Sequence, residues 1–311
     1  MRVLGIDAGG TKTIGLLADE HGTTLGWGRG PGANLQASGE LEVEKVLHDV
    51  MEQATGGDHI RPDVICLGIA GVDRPGDADA VRGIMRRIGF KTPVIVVNDA
   101  LVALTAGAGD APGLVIIAGT GSIAYGRTGH GVAARAGGWG YLLGDEGAGF
   151  WIGRAALTAV VRQFDGRGPA TLLTELVLRH MQLGSPTELI HAIYDGGMQR
   201  LAVAGIAAVV PGAMEQGDAV AGEIVGRATS ELVAAAAAVI QRLEMRGDVF
   251  PTILSGGAFH GIPALVSGVT AGLSEVAPRS DVKLLSVEPA VGAVQMALAH
   301  VRGTLTLPRY V

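Results

Sequence analysis

Cysteine is almost missing from this chain of 311 residues: Cys66 stands alone, inside the apolar run Val64-Ile65-Cys66-Leu67. One thiol cannot build a disulfide framework, nor a cysteine-held zinc or iron–sulfur site within one chain. It reads as a core thiol. Charge is also sparse, with 17% charged residues against 48% hydrophobic ones, a balance that suits a globular protein with a large core. There is no basic excess: 24 Lys and Arg face 30 Asp and Glu, for a formal net charge of −6. That balance excludes a nucleic-acid surface on bulk electrostatics. No run is long enough to span a bilayer, since the longest apolar stretch, Leu201 to Met214, is broken by Pro211. Met1-Arg2-Val3 leads straight into a strand pattern, so no secretory signal is expected. The expectation is a soluble cytoplasmic protein with no membrane and no nucleic-acid partner. The eight histidines show no His-x-x-x-His or similar spacing, and none is assigned to a metal.

What is abundant is glycine. The 50 glycines far exceed the usual ~7% and follow no collagen period. They imply tight turns and close ligand approaches.

Along the chain, residues 2–7 read as a strand ending on Asp7. A turn, Asp7 to Thr13, leads into a second strand, Ile14 to Ala18, and Thr24 to Gly28 makes a third. This is an antiparallel meander. The region Leu35 to Thr55 reads as a helix whose apolar face holds Leu41, Val43, Val46, Leu47, Val50 and Met51. Val64 to Ile69 is a buried strand and Asp77 to Ile88 a helix. Pro93 to Val97 is a second buried strand, ending at Asn98-Asp99, and Ala100 to Gly107 is a helix. The pattern then restarts past a Gly/Asp/Pro cluster at 107–113. Strands are expected at Leu114 to Ala118, Ser122 to Gly126 and Ala133 to Arg135. Helices are expected at Ala148 to Phe164, Ala170 to Met181, Pro186 to Tyr194, Arg200 to Glu215 and Asp218 to Arg242. A strand, Pro251 to Ser255, a helix, Gly261 to Ala271, a strand, Val282 to Leu285, and a last helix, Pro289 to Arg302, complete it. The whole reads as a duplicated α/β unit with extra helices in the second copy. Those extra helices hold more apolar surface than one domain face needs, so a homodimer is expected. The tail from Gly303 carries no chemistry that can be read.

Four stretches carry candidate chemistry. In Asp7-Ala8-Gly9-Gly10-Thr11-Lys12-Thr13, Thr11 intervenes between glycine and lysine and a strand follows, which rejects a Walker P-loop. The glycines instead let a backbone hairpin approach a polyphosphate, with Thr11 donating a hydroxyl and Asp7 holding a hydrated Mg²⁺. The alternative is an ordinary glycine turn. Asp99, at the carboxyl end of a buried strand, sits where ligands bind in α/β sheets. It reads either as a general base for a hydroxyl or as a helix N-cap. Gly119-Thr120-Gly121-Ser122 after a buried strand presents N–H groups to phosphate oxygens. In the loop beyond it, Trp139 offers an apolar wall, and Asp145 and Glu146 offer acceptors for ligand hydroxyls. For those two acids the alternative is capping the helix near Ala148. Finally, Leu254-Ser255-Gly256-Gly257 lets a purine lie against the backbone, or is a plain strand-to-helix turn.

In this order, the four motifs resemble the sugar kinase, actin and heat-shock chaperone superfamily of ATPases. Asp7 to Thr13 looks like its first phosphate motif and Leu114 to Ser122 its second. Val97 to Gly107 and Ala290 to Ala297 look like its connecting helices, and Ile253 to Gly257 its adenosine motif. Gly137-Gly138-Trp139-Gly140 followed by Gly144-Asp145-Glu146-Gly147 is similar to the N-acetylglucosamine kinase branch, grouped with the BadF/BadG-type activator ATPases of acyl-CoA dehydratases.

The resemblance implies an α/β fold of two ribonuclease-H-like, actin-like ATPase domains flanking a cleft. These would be 1–110, joined by the C-terminal helix 290–303, and 111–289, with a helical insertion at 148–243. It implies ATP and Mg²⁺ as cofactors and an amino sugar as acceptor, most of all N-acetylglucosamine, phosphorylated at its 6-hydroxyl. Asp99 matches the catalytic aspartate and also touches the sugar, and Asp7 the Mg²⁺ carboxylate. Gly9, Gly10, Thr11, Lys12, Gly119, Thr120, Gly121, Ser122, Gly256 and Gly257 fall at ATP contacts. Asn34, Gly71, Gly138, Trp139, Gly140 and Asp145 fall at sugar contacts. Ala70 stands where eukaryotic members carry serine, a departure that bears on sugar preference. Glucosamine, N-acetylmuramic acid and glucose stay open as acceptors. The competing class is a nucleotide-driven activator acting on a protein partner. The absence of cluster cysteines speaks against it, Cys66 lying in a core strand.

Overall fold

The computed structural model describes residues 1–35, 39–57, 61–72, 75–195 and 200–311. Two sheets organise it. The first runs in the order β3-β2-β1-β4-β5 and the second β10-β9-β6-β7-β8-β11. In the first, β1 (Arg2–Ala8), β2 (Lys12–Asp19) and β3 (Thr24–Pro31) form an antiparallel meander. On the other side of β1 lie β4 (Val64–Ile69) and β5 (Val94–Asn98), both parallel. The second sheet repeats the plan. Its meander is β6 (Gly113–Ala118), β7 (Ser122–Arg127) and β8 (Val132–Gly137). Its parallel strands are β9 (Phe250–Ser255) and β10 (Ser280–Leu284).

The central strands are buried on both faces, which is why they read as continuous apolar runs. The pleat then sends alternate residues into different cores. In β4, Ile65, Leu67 and Ile69 join an outer core with α1 (Glu40–Thr55) and α2 (Pro75–Ile88), while Val64 and Cys66 face inward. In β6, Leu114, Ile116 and Ala118 join the other outer core, and Val115 faces inward. The inner cluster is the keystone. It packs Val3, Ile14 and Cys66 of the first sheet and Val115, Tyr125 and Ile253 of the second around two helices, α3 (Asp99–Ala108) and, later in the chain, α11 (Ala290–Val301). The last helix thus packs against the first strand. Burial there pushes the Cys66 thiol up to about 12, so it is an inert core residue.

Between β8 and β9 stand α4 (Gly149–Phe164), α5 (Leu173–Met181), α6 (Arg200–Gly205), α7 (Val210–Glu215) and α8 (Ala219–Arg242). Between β9 and β10 come α9 (Gly257–Gly261) and α10 (Pro263–Val276). Several expectations needed correction. Leu41 lies in the first turn of α1 at 82% exposure, off its apolar face. The expected start of that helix at 36–38 lies outside the described residues, as does Asp73. Pro186 to Tyr194 is helical throughout but changes pitch, passing from a 3₁₀ turn, Pro186–Glu188, into a π turn, His191–Asp195. Arg200 to Glu215 breaks at a 3₁₀ segment, Ile206–Val209, before Pro211 occupies the first turn of α7, where a missing N–H costs nothing. The tail forms β11 (Arg309–Tyr310), parallel to β8. Among the described residues no helix is long and apolar enough to cross a membrane.

Candidate active site

The turns that end the central strands open onto one cavity of about 1360 Å³ between the sheets. The residues expected to bind ATP, sugar and metal line it, whereas Glu146, read as a further acceptor for ligand hydroxyls, does not. From the first sheet's side come Asp7, Gly9, Gly10, Thr11, Lys12, Asn34, Gly71 and Asp99. From the second come Gly119, Thr120, Gly121, Ser122, Gly138, Trp139, Gly140, Asp145, Gly256 and Gly257.

The first hairpin is closed by the Gly9 N–H donating to the Lys12 carbonyl at 3.0 Å. Thr13 anchors it by donating to the Pro31 carbonyl at 2.8 Å. This leaves Gly10 and Thr11 exposed at the tip. Facing them, the Gly119–Ser122 turn is held by the Gly119 N–H on the Gly121 carbonyl at 2.9 Å, and by the Gly149 N–H on the Gly119 carbonyl at 2.8 Å. The Thr11 and Thr120 hydroxyls meet across the cleft at 2.5 Å. Gly256 completes that side with φ 108°, and a Cβ there would sit 2.4 Å from the Ala118 carbonyl oxygen. Only glycine lets β9 turn so close to β6.

The floor of the first side is acidic. Asp7 is buried and its carboxyl is raised well above the ordinary range. Burial is the main cause, the Asp99 charge adds to it, and Lys12 opposes it. Lys12 in turn is gripped by both oxygens of Glu288, at 2.8 and 2.6 Å. Asp99 is not the helix cap. Asn98 takes that role, accepting from the Ala100 N–H at 2.8 Å, so Asp99 occupies the first helical turn and borders the cavity. The capping alternative therefore falls to its neighbour, and the Asp99 carboxylate stays with the site.

On the other side, α4 starts at Gly149 and its N-cap position is taken by Ala148, so neither Asp145 nor Glu146 occupies the cap. Asp145 is buried and its side chain accepts from the Ser122 N–H at 3.3 Å and from Arg200 Nη2 at 2.8 Å. Glu146 is exposed, and its carbonyl accepts from the Ser122 hydroxyl at 2.7 Å. Trp139 is 60% exposed at the mouth, with the Arg135 guanidinium 4.9 Å from its ring centroid. Leu142 and Leu143, each 80% exposed, extend this apolar lip. Three site residues escaped the sequence reading: Arg135, Arg200 and Glu288. Arg200 and Glu288 meet partners far away in the chain, Asp145 and Lys12, which leaves no local pattern, while Arg135 reaches the neighbouring Gly137 carbonyl and the Trp139 ring.

The arrangement joins two hydroxyl-bearing glycine turns, a half-buried carboxylate and an amphipathic loop. That is a site able to hold a polyphosphate against a polyhydroxylated acceptor. The chain matches the BadF/BadG/BcrA/BcrD ATPase family over residues 4–297. It belongs to that family. An N-acetylmuramic acid/N-acetylglucosamine kinase of Clostridium acetobutylicum is 35% identical over 299 residues, covering 95% of this chain and 97% of the relative. An N-acetyl-D-glucosamine kinase of Dictyostelium discoideum is 34% identical, again over 95% and 97% of the two chains. A crystal structure from Chromobacterium violaceum, provisionally described as an N-acetylglucosamine kinase, superposes with a TM-score of 0.73 at 26% identity. It covers 94% of this chain and 97% of that one. Family membership and this superposition fix the fold as that of the actin-like ATPases.

Proposed function

We propose that the protein is an ATP-dependent amino sugar kinase acting in the cytoplasm. It transfers the γ-phosphoryl group to the 6-hydroxyl of N-acetylglucosamine. The observation that carries this is Asp99, relieved of capping by Asn98 and bordering the same cavity as the Thr11 and Thr120 turns. Asp99 orients the sugar hydroxyl and accepts its proton as the oxygen attacks phosphorus. Thr11, Thr120 and the turn backbone at Gly9, Gly10, Lys12, Gly119, Gly121 and Ser122 surround the phosphates. Gly256 and Gly257 border the adenosine. Asn34, Gly71, Gly138, Trp139, Gly140 and Asp145 hold the sugar.

Mg²⁺ fits the donor set. Asp7 is one buried carboxylate with acids around it, and among the described residues no group of three His, Cys, Asp or Glu side chains forms a metal cage. Such a site suits an ion held largely by water and phosphate oxygens, which would neutralise phosphate charge when bound. We read the chain as two domains, 1–110 with 290–303, and 111–289 with helices 148–243 inserted. Closure of one on the other would exclude water as a competing acceptor. Exposed Phe164, Ile190 and Tyr194 on the inserted helices support a homodimer, which light scattering tests.

N-acetylmuramic acid is the second acceptor to try, because the Clostridium relative carries both sugars in its name. A panel of amino sugars and glucose, read by ADP release and by phosphorus NMR of the product, tests the proposal. Release that needs N-acetylglucosamine and yields its 6-phosphate is expected. Equal release without any sugar would instead assign the chain to the activator class.

A further inference from the structure

We propose that Arg200 is a positioning residue of the sugar site, holding Asp145 in place as the anion that receives sugar hydroxyls. The inference rests on the sugar role proposed above for Asp145. Asp145 is an unusual residue to find in a sugar loop. Its backbone is left-handed, with φ 61°, and its side chain is buried. Both features cost free energy unless the surroundings hold them.

The surroundings do. Arg200 Nη2 donates to Asp145 Oδ2 at 2.8 Å, and the Ser122 N–H donates to Oδ1 at 3.3 Å. The Gly140 backbone supplies a further hydrogen bond. The ion pair packs flat on the second turn. A Cβ on Gly121 would lie 2.6 Å from Asp145 Oδ2 and 2.9 Å from Arg200 Nη2. Arg200 is braced in its turn by the Tyr141 ring, 5.2 Å from its centroid, which stands edge-on to Phe150. One guanidinium thereby ties α6 to both the phosphate turn and the sugar loop.

Two charged groups bear on the Asp145 carboxylate: Arg200 from α6 and Glu146 beside it. Burial raises the Asp145 carboxyl above the ordinary range, Arg200 is the largest opposing influence, and Glu146 pushes it further up. Without Arg200, the buried acid takes up a proton more readily. It then donates where it should accept, and sugar binding weakens. That loss is pH-dependent, being relieved as the pH rises and the acid ionises again.

The test compares Arg200→Met, Arg200→Lys and Asp145→Asn, each confirmed folded by circular dichroism, with Arg200→Met combined with Asp145→Asn. Arg200→Met should raise the sugar KM by about tenfold or more. That KM should fall again with rising pH, while ATP KM and kcat at saturating sugar change by less than about threefold. Arg200→Lys, which keeps the charge, should restore much of the sugar KM. On the Asp145→Asn background, Arg200→Met should add less than about twofold, as two residues acting as a unit require. The Arg200 Nε is buried and has no partner among the described residues, so direct contact with phosphate is the rival role. A fall in kcat with an unchanged, pH-insensitive sugar KM would establish that role and overturn the proposal, as would full additivity in the double variant. Sugar-dependent ADP release by the unaltered chain tests the proposed function, and only the contrast among variants tests Arg200.

Discussion

The hydroxyls of Thr11 and Thr120 lie 2.5 Å apart, joining two turns that are 109 residues apart in the chain. Each hangs from the end of a hairpin in a different sheet, so their contact fixes the distance between the two turns. A phosphate entering the cleft meets both at once and replaces one neutral hydrogen bond by two to an anion. Hydrogen bonds to charged groups contribute about 1.5–3 kcal/mol each. Thr120→Val, which keeps the shape and removes the hydroxyl, should therefore raise the ATP KM by roughly tenfold or more. Thr11→Val should do the same. The double variant should lose less than the sum, because each single change already removes their mutual bond. Steady-state kinetics at saturating sugar, with calorimetric titration of ATP, measures both.

Asp99→Asn keeps the size and polarity of the side chain and removes its basicity. General-base loss of this kind lowers kcat by about 10²–10⁴-fold. Nucleotide affinity should stay within about threefold of the parent. Single-turnover phosphorylation measures the first and calorimetry the second. Unchanged turnover would remove Asp99 from the chemistry.

Asp7 predicts the opposite response in stability and in activity. Its carboxyl is raised in the folded protein by burial and by Asp99, so the folded state binds its proton more tightly than the unfolded chain does. Stability therefore falls as the pH climbs above the ordinary carboxylate value, until Asp7 itself has ionised. Asp7→Asn removes that penalty. The variant should melt at a higher temperature than the parent at pH 8, with the difference shrinking toward pH 4, and should lose kinase activity. Parallel melting curves across that range in buffer free of nucleotide give the answer. A variant less stable than the parent at pH 8 would contradict the electrostatic account.

How much of this was legible beforehand follows from distance along the chain. The central strands were readable because both of their faces are covered, which makes Val64–Ile69 and Leu114–Ala118 almost wholly apolar, with glycine close behind each at Gly71 and Gly119. The turns were readable because glycine beside threonine is a local pattern. Asn98 and Asp99 could not be told apart, since both are good caps and only the helix register decides. Leu41 misled because an apolar residue in a first turn fits the helical period whether or not anything covers it. The Lys12–Glu288 pair spans 276 residues and the Arg200–Asp145 pair 55, so neither leaves a spacing to read. β11 is two residues long, below any periodic signal.

Asp218 offers a stability test away from the cavity. Its side chain caps α8 by accepting from the Ala221 N–H at 2.8 Å, and also from the Leu172 N–H at 2.6 Å and the Thr171 hydroxyl at 2.8 Å. One carboxylate thus starts the longest helix and pins the segment that leads into α5. Asp218→Ala should cost about 2 kcal/mol, the loss of a cap together with its added hydrogen bonds. Burial pushes the Asp218 carboxyl upward, but the Ala221 and Leu172 amides and the Thr171 hydroxyl outweigh it and hold the group below its ordinary value. Its contribution is therefore present above the unfolded carboxylate value and is lost as the pH falls through the lower folded one. Urea unfolding at pH 7 and at pH 3 should show a large difference between parent and variant at the first and a smaller one at the second. Sugar and ATP KM values should be unchanged, because none of the three partners borders the cavity. A variant with parental stability at pH 7 would mean that the helix start is held by its packing alone.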